Sequence, residues 1–497
     1  MSVSTAVDQS QVSRVTGIKT TFKDLRNGRI SALPQSIAVV GQGSTASVYS
    51  NVKKQVFSAL EVAQEYGFGS PLHLAVCQLL PPNGDGVGNI PVNVYPLDDA
   101  GGGVVADGSI TPVVVPTAAG SYQVNVSNIL STAFTIAVGD TIADVVDKMV
   151  AAINGVLSMP IIAVDGTTLL TFTSKWKGAS ANDIVIEVIG PTTIGNSFTI
   201  VQANAGASNP DVDSALAQIG DTWETVILNC MDIADTTTLD KFSAFGEGRW
   251  GALFHKPCVV FTGVTIAAVS GAIAVSNARK TDRVNAQLVA PGSDSLPFVV
   301  AARGVARIAV VAQSDPASDY ARQYAQSIAP GTDAEQWDSA QREAAVVGGS
   351  STSITTDGVV TLMDTVTFYH PTGDPTPAYR FVKDIMRLQV ILFNIAAIFD
   401  TPEWAGAPLI PNDQPTANPN AKKPMTAVAA ISAMLDNLGL AAIISDPETA
   451  KKATMAAING GNPNRLDVAT TVQLSGNTNI KSIDLNFGFY FGTAPIV

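Results

Sequence analysis

The sequence predicts an α/β chain, more fully an α+β multidomain protein, from three observations. Between Leu33 and Val311, short apolar strands alternate with helical patterns, as in a sheet covered by helices. At Gly101–Gly103 the composition shifts, and as far as Ala205 Thr, Val and Gly dominate an alternating β pattern. Near the end, Ile483, Leu485, Phe487, Phe489 and Phe491 fall on every second position, the period of a strand with one apolar face. The layout is a split α/β core domain over 21–100 plus 206–345, with a β-rich domain inserted at 101–205. A C-terminal α+β domain over 346–497 ends in a β-hairpin, and extended arms lie at 1–20 and about 480–497.

Residues 1–20 are polar with few large apolar groups and read as an extended arm. Ile37–Val40 is a strand, followed by a helical pattern at Val52, Val56, Leu60 and Ala63. Pro71 to Leu80 is a second helix and Pro91 to Tyr95 a strand. Within the inserted block, Val145, Met149, Ala152 and Ile153 give one amphipathic helix over 141–155, with Asp140 as its cap. Helices are then expected over 211–219, 238–250, 265–279 and 297–311. Strands are expected over 223–228, 258–261 and 284–289.

After Val346, Asp357-Gly358 is a hairpin turn whose second strand runs on to Tyr369. The longest helix spans Ala378 to Phe399, and another carries Val428, Ile431, Leu435 and Leu438. A third starts at Asp446-Pro447-Glu448 and stops at Gly460-Gly461. Val468–Leu474 and Ile483–Phe491 form the closing hairpin across the turn at 475–478.

Only 14% of the 497 residues are charged, against about 25% in an average domain. A chain so poor in charge either has a large interior or hides surface in partners. Net charge is −13, which disfavours nucleic acid and acidic membranes as partners. There is no uninterrupted apolar run of membrane-spanning length, and residues 1–8 lack the basic and apolar regions of a signal peptide. Cys77, Cys230 and Cys258 are far apart in apolar runs and read as buried reduced thiols.

Gly41-x-Gly43-x-x-Ala46 after a strand matches a dinucleotide-binding fingerprint. The acidic residues at the required distance, Glu61 and Glu65, lie in the helical pattern rather than at a strand end, so a tight turn is the stronger reading. His73, His255 and His370 have no metal-ligand spacing, and Asp98-Asp99 reads as a solvated turn. No catalytic, cofactor-binding or metal-binding residue is assigned, and no cofactor is expected. Arg380, Lys383 and Arg387 share a helix face, Asp384 can pair with Arg380, and the other two have no nearby acidic partner. They read as a local basic stripe or as an ordinary solvated face.

The stretches Leu33 to Gln42, Gly67 to Ala75, Pro91 to Leu97, the Asp357-Gly358 hairpin and Leu485 to Phe489 together resemble the contractile tail sheath proteins of myophages, in the Mu-like branch. The resemblance implies a structural polymer and no enzyme. Such sheaths stack as hexameric rings around a tail tube above a baseplate, below a tail terminator. They are built in the host cytoplasm and sit in the virion tail. Contraction of a metastable extended state drives the tube through the host envelope. No direct nucleic-acid contact or membrane insertion is implied.

The resemblance also places the C-terminal domain at the tube, with Arg380, Lys383 and Arg387 as tube-facing residues, and the inserted domain outside. Terminal arms would donate strands to neighbouring subunits. Here the donated residues are Val12, Val15 and Ile18, and Ile483, Leu485, Phe487, Phe489 and Phe491. A tailocin-like device is the alternative within the class, and an NAD-type dinucleotide-binding enzyme at Gly41–Ala46 the alternative outside it.

Overall fold

A computed structural model describes residues 33–191, 197–252, 254–374, 377–485 and 487. They fall into two compact units: a larger one of Leu33–Leu392 with the segment from Gly476 onward, and a smaller one of Phe393–Ser475. The expectations for residues 1–20, Phe489 and Phe491 lie outside the described residues.

The larger unit begins with β1 (Ile37–Gln42), β2 (Lys54–Val56), α1 (Ala59–Tyr66), α2 (Pro71–Leu79) and β3 (Val92–Leu97). Ser58 caps α1 by accepting the Glu61 amide, and Ser70 caps α2 with Pro71 in its first turn. The single helix expected from Val52 to Ala63 is corrected here. Lys54–Val56 pair antiparallel with β3, Val52 is exposed, and the helix starts only behind the Ser58 cap.

The chain then builds β4 (Val105–Pro112), β5 (Gly120–Val126), β6 (Ile129–Leu130), β7 (Phe134–Ile136), α3 (Ile142–Asn154), β8 (Ile161–Asp165), β9 (Leu170–Lys177), β10 (Ile186–Ile189) and β11 (Phe198–Asn204). One antiparallel sheet runs β11-β4-β9-β8, and another runs β10-β5-β6 with β7 also on β5. α3 packs on both, over a core that includes Tyr122, Val146, Met149 and Phe172. Its cap is Thr141, not Asp140. The Thr141 hydroxyl accepts the Asp144 amide at 3.2 Å, and the Asp144 carboxylate accepts the Thr141 amide at 2.8 Å. Asp140 instead accepts the Ala137 amide and pairs with Lys148.

Next come α4 (Asp213–Ile219), β12 (Val226–Asn229), α5 (Thr236–Arg249), β13 (Val259–Val264), α6 (Val269–Ala272), α7 (Ala274–Ala278), β14 (Asn285–Val289), α8 (Pro297–Ser314), α9 (Ser339–Val347), β15 (Ser353–Thr356), β16 (Val359–Leu362) and α10 (Val382–Phe399). The helix expected over 265–279 is broken in two at Ile273. β16 stops at Leu362 rather than continuing to Tyr369. The Asp357-Gly358 turn takes left-handed φ values of 50° and 76°, as a tight hairpin requires.

One sheet of order β14-β13-β12-β1-β3-β2 gathers strands from both sides of the 104–204 stretch. β1 lies parallel to both β12 and β3, with Ile37 opposite Val226 and Val92. Every residue of β1, β3, β12, β13 and β14 is buried, as in a parallel sheet covered on both faces. α8 is apolar and long enough to span a membrane, but it packs on β12, β13, β14 and α2 as a core helix. Trp176 of β9 is fully buried in this main core beside Ala106 and Ala181, its ring edge-on to Phe298 at 6.0 Å. The Gln389 amide of α10 donates to the Thr225 and Pro257 carbonyls at 3.2 and 3.0 Å, which ties α10 to the starts of β12 and β13.

The smaller unit continues α10 and adds α11 (Pro424–Leu440), α12 (Pro447–Ala453), β17 (Met455–Asn459) and β18 (Asn462–Ala469). β17 and β18 pair antiparallel, so the closing hairpin is displaced from its expected position. Gly460-Gly461 does not stop a helix but forms the hairpin tip, where the Asn459 side chain accepts the amides of Gly461 and Asn462 at 3.0 Å each. Val468 is taken by Ala456, Leu474 bridges Ile444, and residues 475–485 hold no strand.

Candidate assembly site

β17 and β18 pair with no other strand among the described residues, so the outer edge of each is open. A two-stranded sheet is marginal alone, and this one rests on α11. An apolar groove of about 610 Å³ runs along it, lined by Met455, Ala456, Ala457, Val468 and Ala469 with Asp467. Open edges with apolar pockets beside them are a template for a further strand.

The C-terminal segment has the complementary character. Ile483, Leu485 and Phe487 are 84%, 78% and 86% exposed. Among the described residues, no element covers them. The alternation that makes a one-faced strand is therefore present in the sequence and unsatisfied in this fold.

The basic stripe is corrected. Lys383 and Arg387 are buried, and both have acidic partners. Lys383 Nζ pairs with Asp319, and Arg387 Nη1 with Asp384 at 3.2 Å. Asp384 does not take Arg380 at one helical turn, because α10 starts at Val382 and Arg380 stands before it. Arg387 Nη2 also donates to the Ala317 carbonyl and to Asn477 Oδ1, the latter at 2.7 Å. Burial works against the Asp319 charge, but the bonds from Lys383 and Asn479 Nδ2 hold its carboxyl below the ordinary value. Burial pushes the Asp384 carboxyl up. Two cations and two carboxylates balance inside the fold, the arrangement in which buried charge is tolerated.

The Gly41–Ala46 turn leads to no helix, so it presents no helix N-terminus to a phosphate. Both glycines are needed for close packing at ordinary negative φ. A Cβ on Gly43 would lie 2.3 Å from the Tyr49 ring, and one on Gly41 3.0 Å from Cys230 Cβ. The Gly43 amide donates to Tyr49 Oη at 3.0 Å, and that hydroxyl donates to the Leu97 carbonyl at 2.9 Å. His73 is a satisfied core histidine: Nδ1 accepts the Gly69 amide at 2.9 Å, and burial pulls its pKa down to about 4. All three cysteines are free thiols; Cys230 and Cys258 are buried and Cys77 half-buried.

A fully buried carboxylate, Glu224, was not singled out from sequence. It accepts from Tyr95 Oη at 2.8 Å, Asn93 Nδ2 at 2.9 Å and Lys53 Nζ at 3.1 Å. The group locks the β2 edge to the start of β12.

Over 312 residues, 61% of its length, the chain is 25% identical to the Mu-like prophage FluMu tail sheath protein of Haemophilus influenzae. The chain is similar to a tail sheath protein. The match spans 62% of that relative's length. No family model matches the chain. Among solved structures, the sheath tail protein of Listeria innocua superposes with a TM-score of 0.49 at 13% identity, covering 91% of this chain and 94% of that one. The sheath of the PVC extracellular contractile injection system, in its contracted state, gives 0.49 at 10% identity, covering 96% and 99%.

Proposed function

We propose that the chain is the structural subunit of a contractile tail sheath and is not an enzyme. The match to the FluMu tail sheath protein carries this reading. The open edges of β17 and β18 and the uncovered apolar alternation at 483–487 support it independently. In this reading Ile483, Leu485 and Phe487, continued by Phe489 and Phe491, add a strand to a neighbour's β17–β18 sheet, and Val12, Val15 and Ile18 do the same from the other terminus.

Copies of the chain form hexameric rings stacked around a tail tube, between a baseplate and a terminator. Residues 101–205 form the outer inserted domain of a split core, and residues from 346 onward the tube-proximal part. Of the three tube-facing candidates, Arg380 is retained: it is half-buried, whereas Lys383 and Arg387 are engaged inside the fold. Shortening of an assembled metastable polymer does the mechanical work without nucleotide, and the assembly belongs to a virion tail or a related injection device built in the host cytoplasm.

Negative-stain microscopy of the purified protein tests the reading. Tubes or rings with a regular axial repeat are expected. Uniform small particles over a wide concentration range would sink it.

A further inference from the structure

The C-terminal segment changes units abruptly. In the smaller unit, the Ser445 amide donates to the Gln473 carbonyl at 2.8 Å and the Ser475 amide to the Ile443 carbonyl at 3.1 Å. From Gly476 the chain belongs to the larger unit, where two asparagines are held by side chains from far away in sequence. Asn477 satisfies both ends of its amide: Oδ1 accepts from Arg387 at 2.7 Å, and Nδ2 donates to the Ala317 carbonyl at 3.0 Å. Arg387 donates to that same carbonyl, which closes a ring of three bonds. Asn479 Nδ2 donates to Asp319 Oδ2 at 2.7 Å, and its own amide donates to the Asn477 carbonyl at 2.9 Å.

The groups that grip this turn are rigid. Lys383 and Arg387 lie on α10 with side chains 8% and 1% exposed, and Asp319, 14% exposed, is fixed by Lys383 and by the Ala321 amide. Just beyond Asn479 the grip ends, and Ile480 and Ile483 are 92% and 84% exposed.

We propose that Asp319, Lys383 and Arg387 form a clasp whose ligand is the Asn477-x-Asn479 turn, and that it fixes the point from which the C-terminal strand leaves the molecule. Charge-assisted bonds from buried groups hold a short turn far better than solvent-exposed ones would. The strand offered to a neighbour is therefore rooted in the α/β body and α10 of its own subunit, not in its own β17–β18 unit. A pull on that strand loads Asp319 and Arg387 directly. This deepens the sheath reading and rests on it only for the neighbour's role.

The clasp is tested on the full-length chain by native trypsin digestion. Lys481 is exposed and lies two residues beyond Asn479. A protease accepts a bond only when the residues around it are free to extend. Cleavage after Lys481, followed by mass spectrometry, is compared between the wild type and Asn477→Ala/Asn479→Ala. Each substitution removes a bond to a charged side chain, so the digestion is run well below the melting temperature of both proteins. Cleavage at this bond should accelerate at least tenfold, with other sites unchanged. Equal rates overturn the clasp, as does complete cleavage of the wild type within the mixing time. Microscopy of the same wild-type protein separates the two ideas: absence of tubes would remove the sheath reading, while the digestion result alone decides the clasp.

Discussion

Replacing Ile483, Leu485 and Phe487 together by serine removes an apolar face without touching the backbone groups that pair strands. In this fold the three side chains are 84%, 78% and 86% exposed, so the subunit has almost nothing to lose. Its unfolding free energy should change by less than about 0.5 kcal/mol per site, as at other surface positions. The polymer has much to lose. Burying each side chain against a neighbour contributes about 1.5–3 kcal/mol, or about 4.5–9 kcal/mol per donated strand. At about 1.4 kcal/mol per decade, that raises the concentration needed for assembly by roughly three to six orders of magnitude. Sedimentation across a concentration series reads the soluble fraction, and urea denaturation reads the subunit. A triple variant that pellets at the wild-type concentration would refute the reasoning. So would a loss of several kcal/mol in the subunit, because the side chains would then be packing inside their own fold.

Gly43→Ala forces a Cβ into the Tyr49 ring at 2.3 Å and should cost about 1–3 kcal/mol in thermal or urea unfolding; calorimetry with NAD, FAD and ATP on the intact chain should show no specific heat. Trp176→Ala empties a fully buried site in the main core and should cost about 3–5 kcal/mol, measured by urea denaturation. Burial holds His73 at about 4, below its ordinary value of 6.5. Its contribution is therefore complete above pH 6.5 and is lost as pH falls towards 4, a change of about 3 kcal/mol. The stability difference between wild type and His73→Gln should follow that window, and a pH-independent difference would contradict it.

The parts of the fold legible in sequence are those fixed by local chemistry. Ile37–Val40, Pro71–Leu79 and the Asp357-Gly358 turn each carry their own signal, apolar run, proline start and left-handed pair, and each forms where expected. Val52 to Ala63 misled because an apolar residue every fourth position also suits an edge strand followed by a capped helix. The terminal alternation was legible as a strand face, but periodicity names no partner, and none of the described residues in this chain supplies one. The Asp384 partner of Arg387 lies three residues earlier on the same helix and was within reach of helical spacing, but no spacing rule could give Asp319, 64 residues from Lys383, or Asn477, 90 residues from Arg387. The Glu224 site failed for the same reason, since Lys53 lies 171 residues from it. A lone charge in an apolar run, such as Glu224 before Val226–Asn229, is the one signal that could have marked it.

The 104–204 stretch leaves the main sheet after β3 and returns before β12, the two neighbours of β1, so by topology it is a cassette. By packing it is not. Ala106, Trp176 and Ala181 belong to the main core, and Lys175 Nζ donates to the Phe68 carbonyl outside the stretch at 3.0 Å. Recombination that grafted a foreign block between β3 and α4 would have to bring its own plug for that hole. A chimera that keeps Ala106, Trp176 and Ala181 alongside the main sheet is therefore the one that should inherit a finished core.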